Sequence, residues 1–129
     1  MLTPDQVARR VDQERDTPGV VVVEAEQVSA AGDVVCSEEQ MAALTGAGRV
    51  VAVIRHLDAG GRPRLVCDCG AQASARGVVR RVVSELAVID LTDEGPVVRE
   101  VAPGTSAREV QAVSEPTLWA EPDLAVVEA

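Results

Sequence analysis

The chain has 129 residues, of which 47% are hydrophobic, and its formal net charge is −9. This length suits a single domain over residues 1–129 with a core of its own. The negative charge argues against nucleic acid or an anionic membrane as a partner. Lysine and asparagine are absent, which excludes Schiff-base catalysis, a Walker-type phosphate loop and N-glycosylation.

Valine and alanine must fill the core, because Phe and Tyr are absent and Trp119 is the only aromatic residue. β-Branched valine suits buried strands. No apolar run approaches the roughly 20 residues of a membrane span, and Met1–Arg15 lacks the apolar segment of a signal peptide. The odd cysteine count gives no disulfide framework. We therefore expect a cytoplasmic protein without a membrane partner.

The first half of the chain alternates between helix and strand. Thr3 and Gln6 have capping-box spacing at the start of a helix, and Pro18-Gly19 ends it. The pattern then predicts, in order, a strand from Val20 to about Glu26, a turn at Ala30–Asp33, a strand over Val34–Cys36, a helix from the N-cap Ser37 to Thr45-Gly46, a strand over Arg49–Arg55, and a hairpin turn at Asp58–Gly61 returning through Arg64–Cys67.

The second half predicts fewer helices and ends without regular structure. In order, the elements are a short helix over Ala75–Val83, a strand over Leu86–Leu91, a turn at Thr92–Gly95, a strand over Pro96–Val101, a helix capped by Thr105 or Ser106 and running through Ala112, and an irregular tail over residues 115–129. This order predicts an α/β fold in which a mixed sheet is flanked by helices.

The segment Gly77–Leu91, GVVRRVVSELAVIDL, resembles the pattern GVVDRIVTDLAVFDV in the C-terminal part of the B (β) subunit of 3-oxoacid and 3-oxoadipate CoA-transferases. The similarity continues to Gly104 and includes Glu109–Gln111. Upstream, Gly46–Val53 with His56 is similar to that subunit's AGAKRVIVTMEH. The resemblance extends more weakly to Gln27-Val28, Gly32-Asp33 and Leu2–Arg10. It implies a CoA-transferase-like α/β fold of the NagB/RpiA/CoA-transferase type, in a smaller form.

The chain departs from this family where the family's chemistry lies. The family's catalytic glutamate stands in a Ser-Glu-Asn-Gly motif and becomes a glutamyl-CoA thioester, whereas this sequence contains no asparagine. The family's GMGGAMDL loop should fall between Asp33 and Gly46, where Cys36–Leu44 contains no glycine. Its PLTG is replaced by Gln72–Arg76. The resemblance therefore implies a truncated domain that has lost the catalytic half.

Four groups of residues are candidate sites, and for each we favour a structural interpretation. Ser37-Glu38 is either a remnant of the glutamate motif or a helix N-cap, which we favour. Cys36, Cys67 and Cys69 with His56 could bind zinc, although buried, inert cysteines fit better.

His56 could also act as a general base, but we expect it to be structural or at a subunit contact. Gly46-Ala47-Gly48 could approach a CoA phosphate, or could simply end a helix. The last group, which we expect to be a solvated surface, comprises Glu109, Glu115, Glu121, Asp123 and Glu128.

We therefore predict no catalytic residue and no metal site in this chain, and no resident cofactor, with CoA or an acyl-CoA as the possible ligand. The expected function is that of a non-catalytic binding or assembly module. It would act as a homo-oligomer or beside a CoA-transferase A-type partner subunit. One alternative is a subunit of an acyl-CoA:carboxylate CoA-transferase whose catalytic glutamate belongs to the partner chain. Another is an independent small-molecule-binding or structural domain that has kept only the scaffold.

Overall fold

The computed structural model describes residues 1–44 and 48–127. These residues form three α-helices, a short 3-10 helix and nine strands. The helices are α1 (Pro4–Arg15), α2 (Glu38–Ala43) and α3 (Ala107–Ala112), and the 3-10 turn is Gly70–Gln72. The strands are β1 (Val20–Glu24), β2 (Gln27–Ser29), β3 (Val34–Val35), β4 (Arg49–Val53), β5 (Leu65–Val66), β6 (Val79–Val83), β7 (Ala87–Thr92), β8 (Gly95–Val101) and β9 (Trp119–Val126).

Six strands form the main sheet in the order β1-β4-β6-β7-β8-β9, and three form a small sheet in the order β3-β2-β5. In the main sheet β1, β4 and β6 run parallel, β6, β7 and β8 run antiparallel, and β9 runs parallel to β8. The sheet is therefore mixed and flanked by helices, as the sequence predicts.

Alternate residues of the main sheet face two separate apolar clusters. On β4, Val50 and Ala52 join the larger cluster with Val110 of α3 and the small sheet. Val51 faces the other way and packs with Val11 of α1. Both clusters consist mainly of valine and alanine, as the composition requires.

The predicted helix starts form where they were expected. Thr3 and Gln6 make a reciprocal capping box on α1, and Ser37 accepts a hydrogen bond from the backbone of Gln40 on α2. Ser106 and Glu109 form a second capping box on α3. The predicted end of α2 at Thr45-Gly46 lies outside the described residues.

The prediction of a helix over Ala75–Val83 is wrong, because β6 occupies Val79–Val83. The residues Val78, Val79, Val82 and Val83 have helical spacing, but they also form a β-branched run. β6 lies between β4 and β7 and bonds to both. Burial in a central strand outweighs the spacing.

The predicted irregular tail is also wrong, because residues 119–126 form β9. Ala120 pairs with Val98, while Ala125 pairs with Glu100, so residues 121–124 stand opposite Arg99 alone. This irregularity contains Pro122, which an edge strand tolerates.

The hairpin predicted between β4 and Arg64–Cys67 forms its turn but not its ladder. Asp58 accepts backbone hydrogen bonds from Gly60 at 2.8 Å and Arg62 at 2.9 Å. An isolated bridge joins Leu57 to Pro63. Beyond that bridge, β5 does not pair with β4 but pairs in parallel with β2.

Candidate functional site

A cavity of about 590 Å³ lies between α1 and the carboxyl ends of β1 and β4. Alternation along the strands turns Val22 and Val53 toward α1, where Val7 and Val11 also line the space. The carboxyl edge of parallel strands is where open α/β sheets bind ligands. The volume falls within the range of small-molecule sites, roughly 300–1,000 Å³.

Five charged side chains line this cavity, and their positions follow from the strand ends. Glu24 closes β1, Arg55 follows β4, and Glu85 precedes β7. Arg15 comes from α1, and Arg64 comes from the segment before β5.

The two acidic residues differ in their partners. The carboxylate of Glu85 accepts the backbone N–H of His56 at 2.7 Å, which ties β4 to the start of β7. Glu24 is exposed. Its backbone N–H is held at 3.0 Å by the side chain of Gln40 from α2.

Arg64 has a buried donor without an acceptor. Its Nε is shielded from solvent and has no hydrogen-bond partner in the described part of the chain. Its Nη1 donates to the backbone oxygen of Glu26 at 3.3 Å. Arg64 also lines a second, more polar space of about 460 Å³ with Asp58 and Gln72.

His56 lies outside this cavity and is 1% exposed. Ser114 donates its hydroxyl proton to the oxygen of Val110 at 2.7 Å, so at 2.6 Å it accepts from the histidine Nε2–H. Nδ1 then accepts from Ser84 at 2.9 Å. Burial lowers the pKa of His56 to about 4. A neutral, enclosed imidazole fits the structural interpretation rather than that of a general base.

The cysteines do not assemble with His56 into a metal site: no metal-holding group occurs among residues 1–44 and 48–127. Cys69 is buried and directs its thiol to the oxygen of Asp33 at 3.7 Å, and burial raises its pKa. Cys36 is half-buried and Cys67 is exposed. The expectation of buried cysteines is therefore correct for Cys69 and wrong for Cys67, because the strand ends at Val66.

Ser37 acts as the N-cap of α2, and Glu38 lies exposed in the first turn. Nothing in this arrangement resembles a nucleophile beside oxyanion donors. Of the Gly46-Ala47-Gly48 motif, the first two residues lie outside the described residues. Gly48 donates its N–H to the oxygen of Gly19 at 3.2 Å.

The acidic set includes residues with definite partners. Glu115 accepts the backbone N–H of Cys67 at 2.9 Å, and Glu121 pairs with Arg99 at 3.3 Å. Of the described members, Glu109, Glu115 and Asp123 are exposed, as expected, whereas Glu121 is half-buried. Glu128 lies outside the described residues.

Sequence reasoning missed the cavity and Arg64. Parallel pairing of β1 with β4 would have pointed to their carboxyl ends, but that pairing joins segments about 30 residues apart and leaves no local pattern.

Among the described helices, none has the length and apolar character that a membrane span requires.

No protein-family model matches the chain, whereas solved structures do. The decarboxylase AibA/AibB aligns with a TM-score of 0.68 and 19% identity, over 97% of this chain and 56% of that chain. The acyl-CoA transferase YdiF of Escherichia coli O157:H7 aligns with a TM-score of 0.69 and 14% identity, over 85% of this chain and 28% of that chain.

Glutaconate coenzyme A-transferase from Acidaminococcus fermentans aligns with a TM-score of 0.64 and 12% identity, over 95% of this chain and 58% of that chain. The chain thus spans less than two thirds of each of these three structures. The shared feature is the arrangement of sheet and helices, and the resemblance at Gly77–Gly104 predicted the same fold. The chain has a CoA-transferase-like α/β fold.

Proposed function

We propose that this chain is a binding module with a CoA-transferase-like fold that carries out no acyl transfer by itself. The observation that supports this proposal is the cavity of about 590 Å³ at the carboxyl ends of β1 and β4. The proposed ligand is CoA or an acyl-CoA, since the similar YdiF was solved as a thioester complex with CoA.

The side chains of the cavity support a non-catalytic role. Acyl transfer through a glutamate needs a free carboxylate beside donors that stabilise the oxyanion. Glu85 already accepts the N–H of His56 at 2.7 Å. The sequence contains no asparagine with which to complete a Ser-Glu-Asn-Gly motif. This leaves Glu24 as the carboxylate to test.

Thermal shift and intact-mass measurements test the proposal. CoA and acetyl-CoA are expected to raise the melting temperature, and incubation with acetyl-CoA is expected to leave the mass unchanged with or without hydroxylamine. The matched variants are Glu24→Gln in the cavity and Glu38→Gln on the exposed start of α2. A hydroxylamine-sensitive adduct that Glu24→Gln abolishes and Glu38→Gln retains would overturn the non-catalytic role.

A second candidate function is that of one subunit of an acyl-CoA:carboxylate CoA-transferase, with the catalytic glutamate on a partner chain. It is favoured by the chain's span of only 56% of the AibA/AibB chain that it matches. Co-expression with an A-type subunit should then yield a complex that loses activity when this chain is removed. Absence of co-purification and of complementation would count against it.

We also propose a cytoplasmic location, because the three cysteines form no disulfide.

We further propose that the chain self-associates in the absence of a partner. Trp119 is 60% exposed and Val126 is 54% exposed on the edge strand β9. Sedimentation at micromolar concentration should show a dimer, and a clean monomer would refute self-association.

A further inference from the structure

The outer edge of β1 has backbone groups that face away from the sheet. Among the described strands, β1 pairs with β4 alone. At the start of β1, the oxygen of Gly19 accepts the N–H of Arg49 at 3.0 Å. Just beyond its end, the N–H of Ala25 donates to the oxygen of Val53 at 3.0 Å. Because backbone groups alternate in direction along a strand, the even-numbered residues of β1 direct their N–H and C=O groups away from β4.

The outward N–H groups at the two ends of β1 already have partners. That of Val20 donates to the oxygen of Thr17 at 3.3 Å. That of Glu24 donates to the side chain of Gln40 at 3.0 Å. Val22 lies between them, and the described part of the chain places no strand beside it. Val22 therefore offers one donor and one acceptor to a neighbouring strand.

A second copy of β1 fits this edge, because one residue offers both groups. In an antiparallel pair related by a two-fold axis, Val22 would stand opposite Val22 of the second copy, and the two residues would exchange both hydrogen bonds. The same register sets Val21 opposite Val23, and Val20 opposite Glu24. No like charges then face each other, and β-branched residues fill the middle of the ladder.

β1 also lacks the features with which edge strands resist such pairing, namely charges, prolines and bulges. The stretch Val20–Val23 contains no charge and no proline, and its register with β4 is continuous. The helix α2 reaches this edge through Gln40. It has no fully buried residue, so part of its apolar surface, at Ala42 and Ala43, is still exposed beside the edge.

The opposite edge of the sheet, β9, is protected against the same pairing. Pro122 has no N–H to donate, and residues 121–124 stand opposite Arg99 alone. A two-fold pair of β9 strands centred on Pro122 would set Glu121 against Asp123, and one centred on Asp123 would set that residue against its own copy. Both registers bring like charges together. Of the two edges, β1 is therefore the one that suits pairing with its own copy.

We propose that two copies of this chain join their β1 strands in an antiparallel, two-fold pair centred on Val22, which extends the main sheet across both copies. The inference rests on the self-association proposed above, and it assigns that contact to β1 rather than to the exposed side chains of β9. Val22 and Glu24 also line the cavity. Since opposed residues share a face of the sheet, Val20 of the second copy would stand beside Glu24 and add to the wall of that cavity.

Sedimentation equilibrium of the whole chain tests the contact, and the wild type is expected to be a dimer at micromolar concentration. Val22→Lys places two positive charges across the two-fold axis and should raise the dimer dissociation constant at least tenfold. Val126→Lys adds the same charge to the exposed end of β9 and should change that constant less than twofold. A monomeric wild type, or a dimer that Val126→Lys weakens more than Val22→Lys does, would overturn the inference.

A cysteine pair tests the register with a smaller change of side chain. In a Cys67→Ser background, which removes the exposed native thiol, Val22→Cys should form a disulfide-linked dimer on mild oxidation. Opposed residues of a hydrogen-bonded pair lie about 5.5 Å apart between Cα atoms, within disulfide range. Val126→Cys in the same background should not cross-link. Equal cross-linking of the two variants, or none with Val22→Cys, would overturn the inference even if Val22→Lys fails to fold.

The thermal-shift experiment with acetyl-CoA separates this inference from the proposed binding function. A monomer that acetyl-CoA stabilises would remove the dimer and leave CoA binding standing. A dimer joined through β1 that responds to neither CoA nor acetyl-CoA would do the reverse.

Discussion

Nε2 of His56 lies 2.6 Å from Oγ of Ser114, and this hydrogen bond joins the segment after β4 to the segment after α3. On the other side of the ring, Ser84 lies 2.9 Å from Nδ1 and follows β6 directly. Ser84 also accepts the backbone N–H groups of Leu86 and Ala87, both at 3.2 Å. One buried imidazole thereby links three segments that are distant in sequence.

This arrangement predicts acid sensitivity. Burial lowers the pKa of His56 to about 4 from its ordinary value of 6.5. The unfolded chain therefore binds a proton between pH 6.5 and 4 that the folded chain does not, and the free energy of unfolding falls as the pH drops through that window. The loss approaches about 3 kcal/mol at its acid end.

Urea denaturation at several pH values measures this loss. The variant His56→Gln should be less stable at pH 7, and its stability should change less between pH 6.5 and 4. Parallel pH profiles for the two proteins would show that His56 does not contribute the proton.

Glu14 of α1 should be essential to the contact between helix and sheet. Its carboxylate is nearly buried and lies 2.9 Å from Arg10 and 2.6 Å from Arg81. Burial alone would raise the pKa of Glu14, but Arg81 and then Arg10 lower it below its ordinary value.

Glu14→Gln removes one of the two carboxylates that each arginine contacts, because Arg10 also pairs with Glu100 and Arg81 with Asp90. It should reduce the free energy of unfolding by about 2 kcal/mol through the loss of charged hydrogen bonds. Asp12→Asn is the matched control on the same helix, since its pair with Arg15 is exposed, and it should cost less than about 1 kcal/mol. Chemical denaturation at pH 7 compares them, and equal losses would contradict the importance of burial.

Gly32 should tolerate no side chain. It has a φ of +88°, and an added Cβ would lie 2.6 Å from the backbone oxygen of Val79. Gly61 has a similar φ of +79° with nothing within 4 Å, so Gly61→Ala isolates the conformational strain of about 1–2 kcal/mol. Gly32→Ala should lower the melting temperature further, because the oxygen belongs to β6. Equal melting temperatures for the two variants would contradict the clash.

The side chains at the two ends of the segment from Trp119 to Val127 should contribute unequally to stability. Val127 is 1% exposed, whereas Trp119 is 60% exposed. Val127→Ala should therefore cost about 2 kcal/mol, and Trp119→Ala less than about 1 kcal/mol. Thermal denaturation of both variants checks the contrast. A neutral Val127→Ala would indicate that the segment after β9 does not dock.

A feature could be predicted from the sequence when the residues that form it lie close together in the chain. The capping boxes at Thr3 and Ser106 and the turn between β7 and β8 involve neighbours within a few residues, and all of them form as expected. The residues Val78–Val83 satisfy both helical and strand spacing, so only their central place in the sheet decides between a helix and a strand. β5 follows the expected turn but pairs with β2, some 37 residues earlier.

The candidate site was harder to predict for the same reason. Val7, Val22 and Val53 come from three separate elements, and each is an ordinary core residue in its own segment. Arg64 stands out only because its Nε has no acceptor among the described residues, which no sequence pattern records. By contrast, the N-cap role of Ser37 was predictable, because its hydrogen bond spans three residues.

Leu2 and Val127 belong to the same buried cluster, and this has a consequence for synthesis on the ribosome. Val127 follows Leu2 by more than 120 residues, so it joins the cluster only after the strands between them have been synthesised. The cluster that Leu2 shares with Val11 of α1 is therefore incomplete until β9 has been synthesised, and hydrophobic surface exposed in the meantime invites aggregation. A nascent chain of this protein should depend on chaperones until β9 has left the exit tunnel and docked beside β8.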